Sequence, residues 1–157
     1  MDDPPALMDP RIFADGPMGL RDDLLSVPLE ARFSYDHERS IFFLNLEGVS
    51  VRTLSEVDTV VGEIERRLAE IGRPVALVVN YDNFVLAPDL WDAFASAVRR
   101  LSPYSDRVTR YTTSAFLRLK LADQLADRGL APHLYESRVE ALAASRRDDD
   151  VMRKDLR

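Results

Sequence analysis

The sequence predicts one α/β domain whose sheet is mostly parallel and begins with an antiparallel pair of strands. Residues 75–79 (Val-Ala-Leu-Val-Val) form a continuous apolar run. Such a run is typical of a strand that is covered on both faces of a parallel sheet. Short apolar strands also alternate with amphipathic segments along most of the chain, which is typical of parallel strands joined by crossover helices.

The antiparallel pair comes first. Residues 31–35 alternate between polar and apolar side chains, with Phe33 and Tyr35 on one face, as in a half-buried strand. Residues 40–46 predict a second strand. Because residues 36–39 are too few for a crossover connection, they predict a hairpin turn and antiparallel pairing.

The first helix has clear start and stop signals. Thr53 and Glu56 form a capping box at its beginning, and Gly72 followed by Pro74 ends it. Apolar residues recur between these ends at intervals of three and four, which predicts one buried face. They are Leu54, Val57, Val60, Val61, Ile64, Leu68 and Ile71.

The second helix is predicted to open at Pro88, because proline is favoured at the first helical position. A short strand is predicted at residues 107–111, before the hydroxyl-rich start of the third helix. The second helix has its apolar stripe at Leu90, Trp91, Phe94, Val98 and Leu101. The third has Phe116, Leu117, Leu119, Leu121 and Leu125.

Gly129 ends the third helix, and residues 132–135 predict a short last strand. A second capping box, Ser137 with Glu140, predicts a final helix. The predicted order is therefore β-β-α-β-α-β-α-β-α. It fills residues 29–145, between an irregular segment at residues 1–28 and a charged tail at residues 146–157 that we expect to fray.

Composition excludes several classes of function. The net charge of −6 argues against nucleic-acid binding and against a polybasic membrane anchor. The absence of cysteine excludes a disulfide, a thiolate nucleophile and a cysteine-based zinc site. His37 and His133 are far apart in the sequence, so a metal site is not expected. The sequence has no phosphate-binding GxGxxG or GxxxxGK(S/T) motif, and no cofactor is expected. No signal peptide and no apolar run of membrane-spanning length is found, which predicts a cytoplasmic protein.

The first candidate site is the loop that follows the apolar strand. Ligands of open α/β sheets bind outside the carboxyl ends of the strands. Asn80, Asp82 and Asn83 offer hydrogen bonds there, while Tyr81 and Phe84 could cover an apolar ligand or partner. The alternative is structural, because Asn and Asp often satisfy turn backbone while aromatic residues pack inward.

The second candidate site is the start of the third helix. Thr112, Thr113 and Ser114 place three hydroxyls beside free backbone N–H groups, and Arg110 and Arg118 could add positive charge. This combination suits an anion such as a phosphate or carboxylate. The alternative is that Thr113 or Ser114 only caps the helix.

The element order over residues 31–145 resembles the STAS or SpoIIAA-like fold, a class of small regulatory α/β domains. Switch-type members carry a phosphorylated serine or threonine near the loop after the buried strand and the helix that follows. No serine or threonine lies between Asn80 and Asp92, so that kind of switch is not expected here.

Residues 8–13 (Met-Asp-Pro-Arg-Ile-Phe) and 17–20 (Pro-Met-Gly-Leu) resemble the end of the catalytic part of bacterial acyl-CoA:acetate/3-ketoacid CoA-transferases. Some of these enzymes continue into an extra C-terminal domain, which residues 79–84 and 110–120 resemble. The family's reactive glutamate lies in the preceding region, and nothing here matches its motif. Glu47, although it follows a strand, lacks that context.

The resemblance implies a non-catalytic accessory domain with an interaction, structural or regulatory role. Its partner would be a CoA-transferase catalytic region, in cis or in trans. A second copy of the chain is another possible partner, since Phe13, Met18 and Leu20 would suit a buried contact. The alternative function is a small-ligand module that senses CoA or another anion. A third and weaker hypothesis is that the chain is an independent enzyme that uses Asp82 or Glu136 for catalysis.

Overall fold

The structure, a computed structural model, describes the backbone of residues 29–155 and the side chains of residues 29–146. The strands of this part are β1 (Phe33–Asp36), β2 (Ile41–Asn45), β3 (Ser50–Val51), β4 (Val75–Asn80), β5 (Val85–Leu86), β6 (Ser105–Tyr111) and β7 (Leu134–Tyr135). Its helices are α1 (Leu54–Ile71), α2 (Trp91–Arg99), α3 (Ala115–Asp127) and α4 (Arg138–Asp155). Short 3-10 helices cover Leu29–Arg32, Pro88–Leu90 and Ser102–Tyr104.

Five strands form the main sheet in the order β1-β2-β4-β6-β7. β1 is antiparallel to β2, and every other neighbouring pair is parallel. The predicted α/β class and the antiparallel first hairpin are therefore confirmed. Each parallel strand is added beyond the previous one, so right-handed crossovers place α1, α2 and α3 on one face of the sheet.

The two faces of the sheet are covered unequally. The larger core cluster lies on the face of the three crossover helices and includes Val61 of α1, Phe94 of α2 and Leu121 of α3. A smaller cluster on the opposite face joins Ala141 of α4 to Val78 of β4, among others. Successive β4 residues alternate between these clusters and are all buried from Val75 to Val79, as the apolar run predicts.

The capping box at α1 is present as predicted. Thr53 Oγ1 accepts a hydrogen bond from the Glu56 N–H at 3.1 Å, and Glu56 Oε1 accepts from the Thr53 N–H at 3.2 Å. The same carboxylate oxygen also accepts from the Arg52 N–H at 2.7 Å. At the other end, Gly72 has the left-handed backbone conformation (φ 81°) that ends many helices.

Several boundaries differ from the prediction because short elements carry little periodicity. Residues Leu29–Arg32 form a 3-10 turn, so β1 begins only at Phe33. Pro88 opens a 3-10 helix, and α2 starts at Trp91. A second sheet, in which two-residue β3 pairs in parallel with β5, was not predicted. The last helix extends to Asp155, through most of the segment expected to be a tail, whereas residues 1–28 lie outside the described part.

Three residues assigned to buried stripes are exposed. Leu54 is 61 % exposed, and Phe116 and Leu119 on α3 are 76 % and 68 % exposed. The reason on α3 is geometric: Leu121 and Leu125, four residues apart, lie on one line of the helix and fill the face toward the sheet. Within the described part of the chain, no helix has the length and apolar character to cross a membrane.

We predict that Thr53→Ala destabilises the domain by about 1 kcal/mol, because it removes the hydroxyl that accepts from the Glu56 N–H. Thermal denaturation should show a melting temperature about 2–4 °C lower. Ser55→Ala is the matched control, since Ser55 is exposed and contributes only its carbonyl oxygen to a recorded hydrogen bond. Equal shifts for both variants would contradict the prediction.

Candidate functional site

The two predicted loops meet at one edge of the sheet. β4 and β6 are parallel neighbours, and their last residues, Asn80 and Tyr111, are paired. The pairing continues beyond the strands, since the Tyr81 N–H donates to the Tyr111 carbonyl at 2.9 Å. The structure therefore brings the loop after β4 against the start of α3, at the carboxyl ends of the strands.

Asp82 joins these two loops. Its Oδ1 accepts hydrogen bonds from Thr112 Oγ1 at 2.8 Å, from the Thr113 N–H at 2.7 Å and from Thr113 Oγ1 at 3.1 Å. Burial alone would raise the pKa of this carboxyl, but the hydrogen bonds from Thr113 and Thr112 outweigh burial and the pKa is lowered. Asp82 is therefore held as a carboxylate that receives three donors. We call Asp82, Thr112 and Thr113 the Asp82 latch.

The latch uses the donors that were candidates for anion binding. Ser114 is the N-cap of α3, and its Oγ accepts from the Leu117 N–H at 3.1 Å. The Ser114 N–H donates to Thr112 Oγ1 at 3.2 Å. With the Thr113 N–H donated to Asp82, the protein's own carboxylate lies where an external anion was expected. The geometry here favours the structural alternatives, capping and turn stabilisation.

The remaining residues of the first loop also have structural contacts. Asn80 Oδ1 accepts from the Asp82 N–H at 2.8 Å, and its Nδ2 lies 3.5 Å from Glu47 Oε1. Tyr81 and Phe84 are buried and meet edge to face with ring centroids 5.1 Å apart. Only Asn83, at φ 56°, is exposed at the turn. The two aromatic residues therefore belong to the core and do not form an exposed cover.

Arg110 does not join the latch. Its side chain lies on the face of α1–α3, where its Nη1 donates to the carbonyls of Ala131 at 3.1 Å and Pro132 at 2.9 Å. Arg118 contacts the latch only through the latch's backbone, because its Nη1 donates to the Thr112 carbonyl at 2.6 Å, and its Nη2 pairs with Glu136 at 3.3 Å. Arg110 and Tyr81 instead line a cavity of about 290 Å³ beneath the helices.

A polar groove of about 390 Å³ on the opposite face of the sheet was not predicted from the sequence. It is lined by Asn45, Glu47, Asn80, Tyr111 and Arg138, among others. The Arg138 guanidinium carbon lies 4.4 Å from the centroid of the Phe43 ring. Side-chain alternation along three strands brings these residues together, so no local motif could have revealed the groove.

The histidines form no catalytic or metal cluster. His37 lies in the first hairpin, with its ring 5.8 Å from that of Tyr35. His133 is in the loop before β7 at φ 43°, and its carbonyl accepts from the Arg110 N–H. Among the described residues, no group of three or more His, Cys, Asp or Glu side chains could hold a metal ion.

Comparisons with known proteins give no match among family models, curated proteins or solved structures. The chain's own geometry thus defines it as a mixed α/β domain. At one edge of its sheet, the polar groups of two loops hydrogen-bond to one another. The domain also has a cavity beneath its crossover helices and a polar groove on the other face.

We predict that Asp82→Asn destabilises the domain by about 1–2 kcal/mol at neutral pH, because a charged acceptor of three donors becomes neutral. Asp82 has a lowered pKa in the folded state, so its contribution is fully present above the unfolded pKa of about 3.9. It is lost as the pH falls through the folded pKa. The stability gap between the parent and the variant should therefore shrink below about pH 4.

Urea denaturation at pH 7 and at several values below 4 measures this gap. Asp89→Asn is the control, since Asp89 is an exposed carboxylate in the first turn of a 3-10 helix. The difference in unfolding free energy between the parent and Asp89→Asn should be close to zero at every pH measured. A gap for Asp82→Asn that is independent of pH would show that its charge does not stabilise the latch.

Proposed function

We propose that this chain is a non-catalytic accessory domain of a cytoplasmic acyl-CoA:carboxylate CoA-transferase, with a STAS-like arrangement of its sheet. The observation that supports this proposal most is the Asp82 latch. The polar groups at the strand ends, where a reaction centre of this fold class would be expected, are engaged with one another. The resemblance of residues 8–20, 79–84 and 110–120 to such transferases supplies the biological setting.

The proposed docking surface is the outer face of α3. Phe116 and Leu119 lie three residues apart and are therefore neighbours on the helix surface, where both are largely exposed. Two large apolar side chains exposed side by side are typical of a protein contact. They also belong to the segment, residues 110–120, that resembles the extra domain of the transferases. We assign this surface to the catalytic region, which it would meet in cis or in trans.

The alternative, a module that senses CoA or another anion, has less support at the start of α3. A phosphate there would have to displace the Asp82 carboxylate from Thr112 and Thr113. The net charge of −6 gives no general attraction to a polyphosphate.

We predict that the purified chain catalyses no transfer of CoA from acetyl-CoA to acetate or propionate. The carboxylate of Asp82, which follows β4, is held by Thr112 and Thr113 and is therefore not free to act as the nucleophile that this reaction needs. The measurement is exchange of isotope-labelled acetate into acetyl-CoA. Turnover that co-purifies with the chain and disappears in Asp82→Ala or Glu136→Ala would refute the non-catalytic proposal.

We predict that the full chain binds the catalytic region encoded immediately upstream in its gene. Phe116→Ser combined with Leu119→Ser should weaken this binding at least about tenfold, since each variant removes an exposed apolar contact. Biolayer interferometry measures the affinity. The control is Leu54→Ser with Val85→Ser, a pair that is also exposed, at 61 % and 54 %, but lies elsewhere.

Equal losses for both double variants would contradict the assigned surface. Absence of a transferase region upstream, together with no binding, would contradict the accessory function itself. Self-association that is lost in the α3 variant would instead assign the surface to a second copy of the chain.

A further inference from the structure

The cavity beneath the crossover helices is lined mainly by apolar residues and opens to the surface. It has a volume of about 290 Å³ and lies between the sheet, α1, α2 and the loop before β7. Its walls include Leu44, Ile64, Leu77, Val79 and Phe94. Since one water occupies about 30 Å³ in the liquid, the space suits a ligand of roughly ten non-hydrogen atoms.

Arg110 places a positive charge in the wall of the cavity, beside Ala131. Arg110 is only 3 % exposed, and its Nε has no hydrogen-bond partner. Within the described residues no carboxylate pairs with this guanidinium, whose partners are the carbonyls of Ala131 and Pro132 and the hydroxyl of Tyr81. A buried charge without a counter-charge is costly, and carbonyl dipoles offset only part of that cost.

A second hydrogen-bonding group lies beside Arg110. Tyr81 is 3 % exposed and lines the same cavity. Burial raises the pKa of its phenol, although the neighbouring Arg110 opposes this, so the hydroxyl remains protonated at neutral pH. Its proton and the free Arg110 Nε–H are both donors, and a carboxylate accepts several donors at once.

The mouth of the cavity is lined by exposed and mostly polar residues. The exposed residues that line it, Ser102, Asp106, Ala131 and His133, mark its opening. Asp106 lies four residues before Arg110 on β6, about 13 Å along an extended strand. Arg107 lies beside Asp106, so the two opposite charges give the mouth no strong preference for a second anion.

We propose that this cavity binds a small aliphatic monocarboxylate of about six to eight carbons in total. The carboxylate pairs with Arg110, and the tail lies along the apolar walls of the cavity. A dicarboxylate of the same length fits less well, because its second charge would have to lose water near apolar residues. The proposal concerns the chain alone and does not rest on docking to a transferase.

Calorimetric titration of the full chain tests this proposal with hexanoate, octanoate, hexan-1-ol and hexanedioate. We expect hexanoate and octanoate to bind with one-to-one stoichiometry, at least about tenfold more tightly than hexan-1-ol or hexanedioate. Arg110→Met should reduce octanoate affinity about ten- to a hundredfold, since it removes a charged hydrogen-bond donor. Arg39→Met is the matched control, because Arg39 is an exposed arginine paired with Asp36 in the first hairpin; its affinity should equal that of the parent.

Val98→Phe provides an independent variant, since Val98 lines the cavity from α2 and a larger side chain there fills space without altering Arg110. It should also weaken octanoate binding at least about tenfold. The proposal is overturned if the parent shows no heat at millimolar octanoate, if hexan-1-ol binds as well as hexanoate, or if folded Arg110→Met keeps full affinity. Should Arg110→Met fail to fold by circular dichroism, unchanged binding by folded Val98→Phe overturns it.

Discussion

The parallel pairing of β4 with β6 is the constraint on which the rest of the structure depends. It joins two strands that are 25 or more residues apart in the chain and sets their carboxyl ends side by side. Asp82 can therefore reach Thr112 and Thr113, which lie 30 and 31 residues away. The latch in turn fixes the start of α3, so the position of that helix depends on the same pairing.

The same pairing also separates the polar residues of β6. Neighbouring side chains on a strand point to opposite faces, so Arg110 enters the cavity beneath α1–α3 while Tyr111 faces the groove beside α4. A segment that looks like one basic and hydroxyl-rich motif in the sequence thus contributes to three different places. Thr112, Thr113 and Ser114 stay with the loop edge, where Asp82 accepts hydrogen bonds from both threonines.

Sequence patterns predicted the elements that have strong local signals. The Thr53 capping box and the apolar run of β4 are present as expected, because each depends on residues close together in the chain. Side-chain exposure on α3 was predicted less well. The type of an apolar residue does not show whether another part of the fold will pack over it. Phe116 and Leu119 are exposed because Leu121 and Leu125 already fill the side of α3 that faces the sheet.

The candidate site shows a further limit of local patterns. The sequence identified the residues at the strand ends, yet it could not indicate that Asp82 from one loop would occupy the anion position of the other. The sequence pattern also grouped Arg110 with Ser114 in one candidate anion site. Strand alternation instead directs the Arg110 side chain into the cavity beneath α1–α3, while Ser114 caps α3. Residue type and position were accessible from the sequence, whereas the partner of each group was set by long-range strand pairing.

Arg110 is a buried charged side chain that packing alone does not explain. Val108 precedes it by two residues on the same face of β6 and packs against the main core, as strand periodicity requires. A Leu or Met at position 110 would continue that apolar row and avoid burying a charge, a replacement that is often neutral or stabilising in other proteins. The latch, by contrast, satisfies its charged group within the protein. The Asp82 carboxylate accepts three hydrogen bonds at the loop edge, whereas Arg110 is buried in an apolar cavity with its Nε unpartnered. A ligand is therefore assigned to Arg110.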